Sequence, residues 1–150
     1  MALKSQIEAD IKSAMLAKKK EELTALRAIK SAILLAETEK GASNELSEDA
    51  ELKLLTKAVK QRKDSAEVYI ANGRQELADK ELFEIEIISR YLPKQLSEDE
   101  IETAISHIIS QVGAIGMQDM GKVMGVASKS LAGKAEGKMI ADTVKKLLNN

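Results

Sequence analysis

A single proline, Pro93, interrupts 150 residues. Proline inside a helix removes a backbone hydrogen bond and clashes with the preceding turn, so a chain this poor in it can build long helices on both sides. Ala, Leu, Glu and Lys, the good helix formers, are abundant. Apolar residues recur along much of the chain with a helical period. These features predict an all-α protein. The expected architecture is an N-terminal bundle of about four helices over 1–92 and a small three-helix C-terminal subdomain over 93–150. A hinge is expected at Leu92–Lys94, because proline also pushes the residue before it out of the α region.

The periodicity predicts seven helices. Leu3, Ile7, Ile11, Ala14 and Met15 mark the first, and Lys18, Lys19 and Lys20 mark a turn. Leu23, Leu26, Ile29, Ile33 and Ala36 face inward on the second, which Gly41 should stop. A polar loop at Ala42–Leu46 leads to Ser47, a suitable N-cap. The third helix, about Glu48 to Asn72, carries Leu52, Leu55, Val59, Ala66 and Ile70. Gly73 ends it. The fourth, about Arg74 to Leu92, has two apolar rows. One is Leu77, Leu82, Ile85, Ile88 and Leu92, and the other is Phe83, Ile87 and Tyr91. That width predicts a helix packed on more than one side.

Beyond Pro93, Ser97 and Glu100 form a capping box, with Leu96 and Ile101 placed as a hydrophobic staple. Both point to a helix starting at residue 98. Ile101, Ala104, Ile105, Ile108, Ile109 and Val112 give it an apolar face, and Gly113 should stop it. The sixth helix is expected over Met117–Leu131, with Met117, Met120, Val123, Met124, Ala127 and Leu131 on one face. The last carries Met139, Ile140, Val144, Leu147 and Leu148.

Composition narrows the chemistry. Cysteine is absent, which excludes disulfides, thiol nucleophiles and thiolate metal sites, and fits a reducing cytosol. The start of the chain mixes charged and apolar residues, unlike a signal peptide, and no apolar run approaches the roughly 20 residues that span a bilayer. A cytoplasmic chain without membrane contact is expected. The only histidine, His107, falls at the border of an apolar stripe. No catalytic residue, metal ligand or cofactor is predicted. Asp79, Glu81, Glu84 and Glu86 read as exposed helix surface, and Glu98, Asp99 and Glu100 as an acidic first turn favoured by the helix dipole. Lys60, Arg62 and Lys63 are expected to pair with neighbours such as Asp64 or Glu67, with a second anion contact as the alternative.

The segment Asp119–Ile140 stands apart. Gly121, Gly125, Gly133 and Gly137 alternate there with Lys122, Lys129, Lys134 and Lys138. Each glycine inside a helix costs about 1 kcal/mol relative to alanine, so bare backbone there needs a reason. Gly133–Met139 looks like a nucleotide-binding loop but is one residue short of the required spacing, and Met139 stands where Ser or Thr would bind magnesium. Two readings of the glycines stay open: close packing of the last two helices, or close approach to an anion. Charge suits the second. Residues 116–150 hold six lysines against three acids, a net of +3, whereas residues 41–100 hold fourteen acids against nine bases, a net of −5. The candidate nucleic-acid-binding residues are Lys122, Gly133, Lys134, Gly137 and Lys138.

Several short segments occur in a telling order. They are Leu26-Arg27 with Lys30-Ser31-Ala32, then Lys60-Gln61-Arg62-Lys63-Asp64-Ser65, then Gly73-Arg74-Gln75 with Leu77-Ala78-Asp79-Lys80-Glu81. Tyr91-Leu92-Pro93-Lys94-Gln95-Leu96-Ser97 follows. Asp119-Met120-Gly121-Lys122-Val123-Met124 and Gly133-Lys134-Ala135-Glu136-Gly137-Lys138 complete the set. In this order they resemble the YqeY family, also called the GatB/YqeY-domain family, over essentially the whole chain. The resemblance implies an all-α fold of two subdomains. A similar domain forms the C-terminal tail of the B subunit of glutamine-dependent tRNA amidotransferase, where it contacts tRNA and helps select substrate. The family is associated with carbon–nitrogen ligase activity that uses glutamine as amido-N-donor.

In that enzyme the activating cradle is a separate domain and the glutaminase a separate subunit, and this chain carries neither signature. The resemblance therefore implies a tRNA-binding accessory module rather than an autonomous enzyme. Its partners would be tRNA or another structured RNA and a protein of the aminoacylation or amidotransferase machinery. A component of the ligase activity and a helical protein-interaction adaptor are the alternatives. The chain departs from the family at Lys134 and Glu136, where Arg and Asp are frequent. Lysine keeps the charge but lacks the fork that grips a phosphate with two bonds.

Overall fold

A computed structural model describes residues 3–39 and 45–149. The expected stop at Gly41 and most of the expected loop lie outside the described residues. The fold is all-α. Among the described residues there are seven α-helices, one 3-10 turn and no strand. The chain divides into two units, Met1–Leu92 and Pro93–Asn150.

The first unit holds α1 (Leu3–Leu16), α2 (Lys20–Glu39), α3 (Glu48–Ala71) and α4 (Gln75–Ser89). Lys18 turns α1 into α2 in a left-handed conformation, φ 59°, and the Lys19 N–H donates back to the Ala14 carbonyl at 3.0 Å. Ser47 caps α3 by accepting from the Ala50 N–H at 3.2 Å. Gly73, φ 71°, makes the tight α3–α4 turn. These two helices pack as a hairpin, and α2 lies against α1, α3 and α4. The core is Leu3, Ile7, Ala14, Ala25, Leu26, Ile29, Ile33, Leu55, Ala58, Val59, Ile87 and Ile88.

Periodicity overreached at several positions. Ile70 keeps the phase of the α3 stripe but is 51% exposed, Leu82 is 46% exposed, and Met15 is also exposed. Ala78, which no apolar row included, is fully buried. Helix α4 ends at Ser89 rather than Leu92. The Arg90, Tyr91 and Leu92 N–H groups donate to carbonyls only three residues back, at 3.0–3.2 Å. The last turn tightens as the chain meets the conformation that Pro93 imposes on Leu92.

The second unit holds α5 (Glu98–Val112), a 3-10 turn (Met117–Asp119), α6 (Met120–Ser130) and α7 (Gly137–Leu148). The capping box is present. The Glu100 N–H donates to Ser97 Oγ at 3.2 Å, and the Ser97 N–H donates to Glu100 Oε1 at 3.0 Å. Gly113 ends α5 in the left-handed region, φ 69°. Ile101, Ile105, Ile108, Val123, Ala127, Leu131, Ile140, Val144 and Leu148 form one core, with each helix packed on the other two. Leu96 packs against this core, as a staple residue should. The sixth helix starts three residues later than expected. Met117 belongs to the 3-10 turn and is 38% exposed.

Candidate nucleic-acid interface

Helix α6 commits Val123 and Ala127 to the core. The helical period then turns Gly121, Lys122, Gly125 and Lys129 outward, and all four are exposed. After buried Leu131 the chain reverses through Gly133, whose φ of 74° only glycine adopts cheaply. Lys134 donates its N–H to the Leu131 carbonyl at 3.0 Å and leaves its side chain exposed. Helix α7 then starts at Gly137. Glu136 holds the N-cap position in an extended conformation, but its side chain makes no capping hydrogen bond.

The turn is held from outside α6 and α7. Gln95 Nε2 donates to the Gly133 carbonyl at 2.6 Å and to the Pro93 carbonyl at 2.9 Å. The Leu96 N–H donates to the Lys134 carbonyl at 2.9 Å. Two segments 38 residues apart are thus latched through backbone carbonyls. Lys94 and Lys134 flank the latch. The pairing gives the Pro93-Lys94-Gln95-Leu96 segment a structural task that its sequence does not announce.

A β-carbon built on Gly121, Gly125 or Gly137 would meet nothing within 4 Å. Close helix packing therefore does not require glycine at these three positions. Gly133 differs, because the turn itself demands it. The Lys122, Lys134 and Lys138 side chains are exposed, and no carboxylate of the described residues pairs with them. By contrast Lys146 is paired with Glu102 at 3.4 Å. The first turn of α7 adds no acidic residue to Glu136 at its N-cap, and it carries Lys138.

The five sequence-derived residues are only partly gathered. Gly133, Lys134, Gly137 and Lys138 share the α6–α7 turn. Lys122 stands in the first turn of α6, about 12 Å up the helix from its C-terminal end at a rise of 1.5 Å per residue. Lys129, in the last turn of α6, is nearer, and sequence reasoning left it and Lys94 out of the site.

Elsewhere the structure reassigns charges. Arg62 lies 3.5 Å from Glu84 of α4, with side-chain exposures of only 19% and 13%. The expected neighbours Asp64 and Glu67 do not hold it, and Glu84 is not plain surface. The α3–α4 hairpin brings the pair together across 22 residues of sequence, out of reach of local spacing. Arg62 also donates to the Ala58 carbonyl at 3.1 Å. His107 is exposed. Tyr91 donates to the Asp10 carboxylate, and burial, with that carboxylate beside it, pushes its hydroxyl above the usual phenol range. Among the described residues no group of three His, Cys, Asp or Glu converges on a metal-sized site, and no helix is long and apolar enough to cross a membrane.

The family of Yqey-like proteins matches residues 4–148. The chain belongs to the YqeY family. Curated proteins similar to it include three fungal ones, each named "Altered inheritance of mitochondria protein 41, mitochondrial". That of Clavispora lusitaniae is 37% identical over 115 residues, covering 75% of this chain and 66% of the relative. That of Lachancea thermotolerans is 34% identical over 110 residues, 72% and 58%. That of Saccharomyces cerevisiae strain YJM789 is 35% identical over 99 residues, 65% and 52%. The YqeY-family chain thus spans between half and two thirds of these relatives. Their names place them in mitochondria and overturn the cytoplasmic expectation. That expectation leaned on the lack of cysteine, which excludes disulfides wherever a chain resides.

Proposed function

We propose that this YqeY-family chain is an accessory module that binds tRNA or another structured RNA through its C-terminal unit. The observation that carries the reading is the empty space over Gly121, Gly125 and Gly137 beside lysines that no carboxylate of the described residues pairs with. Bare helix surface next to free cations suits a phosphate backbone, which needs close approach and positive charge but no base contact. The chain's three aromatic residues all lie in the first unit, so recognition here would go by shape and backbone rather than by stacking on bases. The turn at 133–138 supplies Lys134, Lys138 and the uncapped start of α7. Its latch to Gln95 and Leu96 fixes the backbone, so little order has to be gained on binding. The same reading makes the chain a helper to an amidotransferase-type or aminoacylation complex.

The test is a Lys134→Glu/Lys138→Glu variant, measured for tRNA binding by filter retention between 50 and 200 mM salt. Both side chains are exposed, so the fold should survive, as circular dichroism would show. Binding should weaken, and the slope of log K against log salt should fall by about 0.7–0.9 for each phosphate that is no longer neutralised. A folded variant that binds tRNA like the parent chain sinks the reading.

A further inference from the structure

The first unit carries a second surface. Between α2 and α3 runs an open groove of about 480 Å³. Ala32, Leu35 and Ala36 line it from α2, and Ala58 from α3. Leu35 is 63% exposed. Lys53 and Lys57 stand one turn apart on the α3 bank. Both are exposed, and no carboxylate of the described residues pairs with either. Arg62 closes one end but is engaged by Glu84. The groove's one carboxylate, Glu39, is on the α2 bank.

We infer that this groove docks an amphipathic helix of a protein partner, with an apolar ridge on Leu35 and acidic residues facing Lys53 and Lys57. Charge complementarity selects the acidic flank. The floor selects a helix. Alanines at 32 and 36 leave room for a close-packed ridge, and an exposed leucine beside them gains by burial. A nucleic acid would use the two lysines, but its phosphate backbone would gain nothing from the apolar wall of Ala32, Leu35 and Ala36. The α2 wall from Ala32 to Glu39 is about 10 Å long, enough for two turns of a partner helix.

The probe is a fluorescein-labelled helical peptide of about 16 residues with leucines at helical spacing and glutamates beside them, compared with one bearing lysines instead. The glutamate peptide should bind the full chain at least tenfold more tightly. Lys53→Glu/Lys57→Glu should reverse the preference, and Leu35→Asp should cost at least tenfold for either peptide. Both changes fall on exposed positions, so either can stand if the other impairs folding. Lys134→Glu/Lys138→Glu should leave peptide binding unchanged, which separates this inference from the RNA reading. Absence of peptide binding, equal binding of both peptides, or indifference to Leu35→Asp overturns it. So does tRNA binding that depends on Lys53 and Lys57, or a dimer seen by sedimentation and dispersed by Leu35→Asp.

Discussion

Replacing Gly121 and Gly125 together by alanine separates scaffold from site. Both lie within α6, and a β-carbon at either would touch nothing. Alanine lowers the entropy of the unfolded chain without a clash, a gain of about 0.5–1 kcal/mol at each position. Two methyls one turn apart on an open face share no partner, so the gains should add to about 1–2 kcal/mol. With a urea dependence near the lower end of about 1–3 kcal/mol per molar, the midpoint for the C-terminal unit should rise by about 1 M. The assay is urea unfolding followed through amide signals of Val123, Val144 and Ile105, which report on that core. The same variant should bind tRNA more weakly, because the methyls hold the phosphate backbone away. Opposite signs for stability and binding mark a surface kept bare for a ligand. A fall in stability would refute the reasoning, since it would mean that the space over α6 is needed for packing. A gain in stability with unchanged tRNA affinity would remove this face from the interface.

Gly133→Ala should act the other way, costing about 1–2 kcal/mol because its φ of 74° strains any side chain; urea unfolding checks it. Ser97→Ala should remove one capping hydrogen bond and cost about 1 kcal/mol by the same measurement. The Glu100 carboxyl is held below the usual carboxylate range by hydrogen bonds from the Ser97 backbone and side chain, with Lys94 adding attraction. Its stabilising effect should therefore be present above the unfolded-state value of about 4.3 and vanish as pH falls through the lower folded value. A carbon-13 titration of Glu100 and its loss in Glu100→Gln would show this. Arg62→Met should cost about 1–3 kcal/mol by leaving the largely buried Glu84 carboxylate without its partner. An added Glu84→Gln should recover part of that in thermal unfolding.

Local signals were legible in the sequence because their causes are local. The Ser47 cap, the Ser97–Glu100 box and the left-handed stops at Gly73 and Gly113 each depend on a few adjacent residues, and each occurs as expected. The core faces of α5 and α7 were also readable, since three helices that all pack on one another bury a simple stripe. Periodicity gives the phase of a helix but not where its neighbours end. Ile70 and Leu82 therefore carry the right phase and still meet solvent, while Ala78 is buried.

The candidate site divides along the same line. The sequence by itself determined an all-α chain, the ends of most of its helices and the presence of a basic, glycine-rich segment. It could not say why the glycines are there, because packing and open surface have the same spelling. Tertiary structure decided that for three of them by placing no atom near Gly121, Gly125 or Gly137. It also assigned Gly133 to a turn that needs a positive φ and latched that turn to Gln95 and Leu96. It matched Arg62 with Glu84 and, among the described residues, gave Lys53 and Lys57 beside Leu35 no carboxylate. All of these depend on distances between residues far apart in the chain, which helix packing sets and local periodicity does not encode.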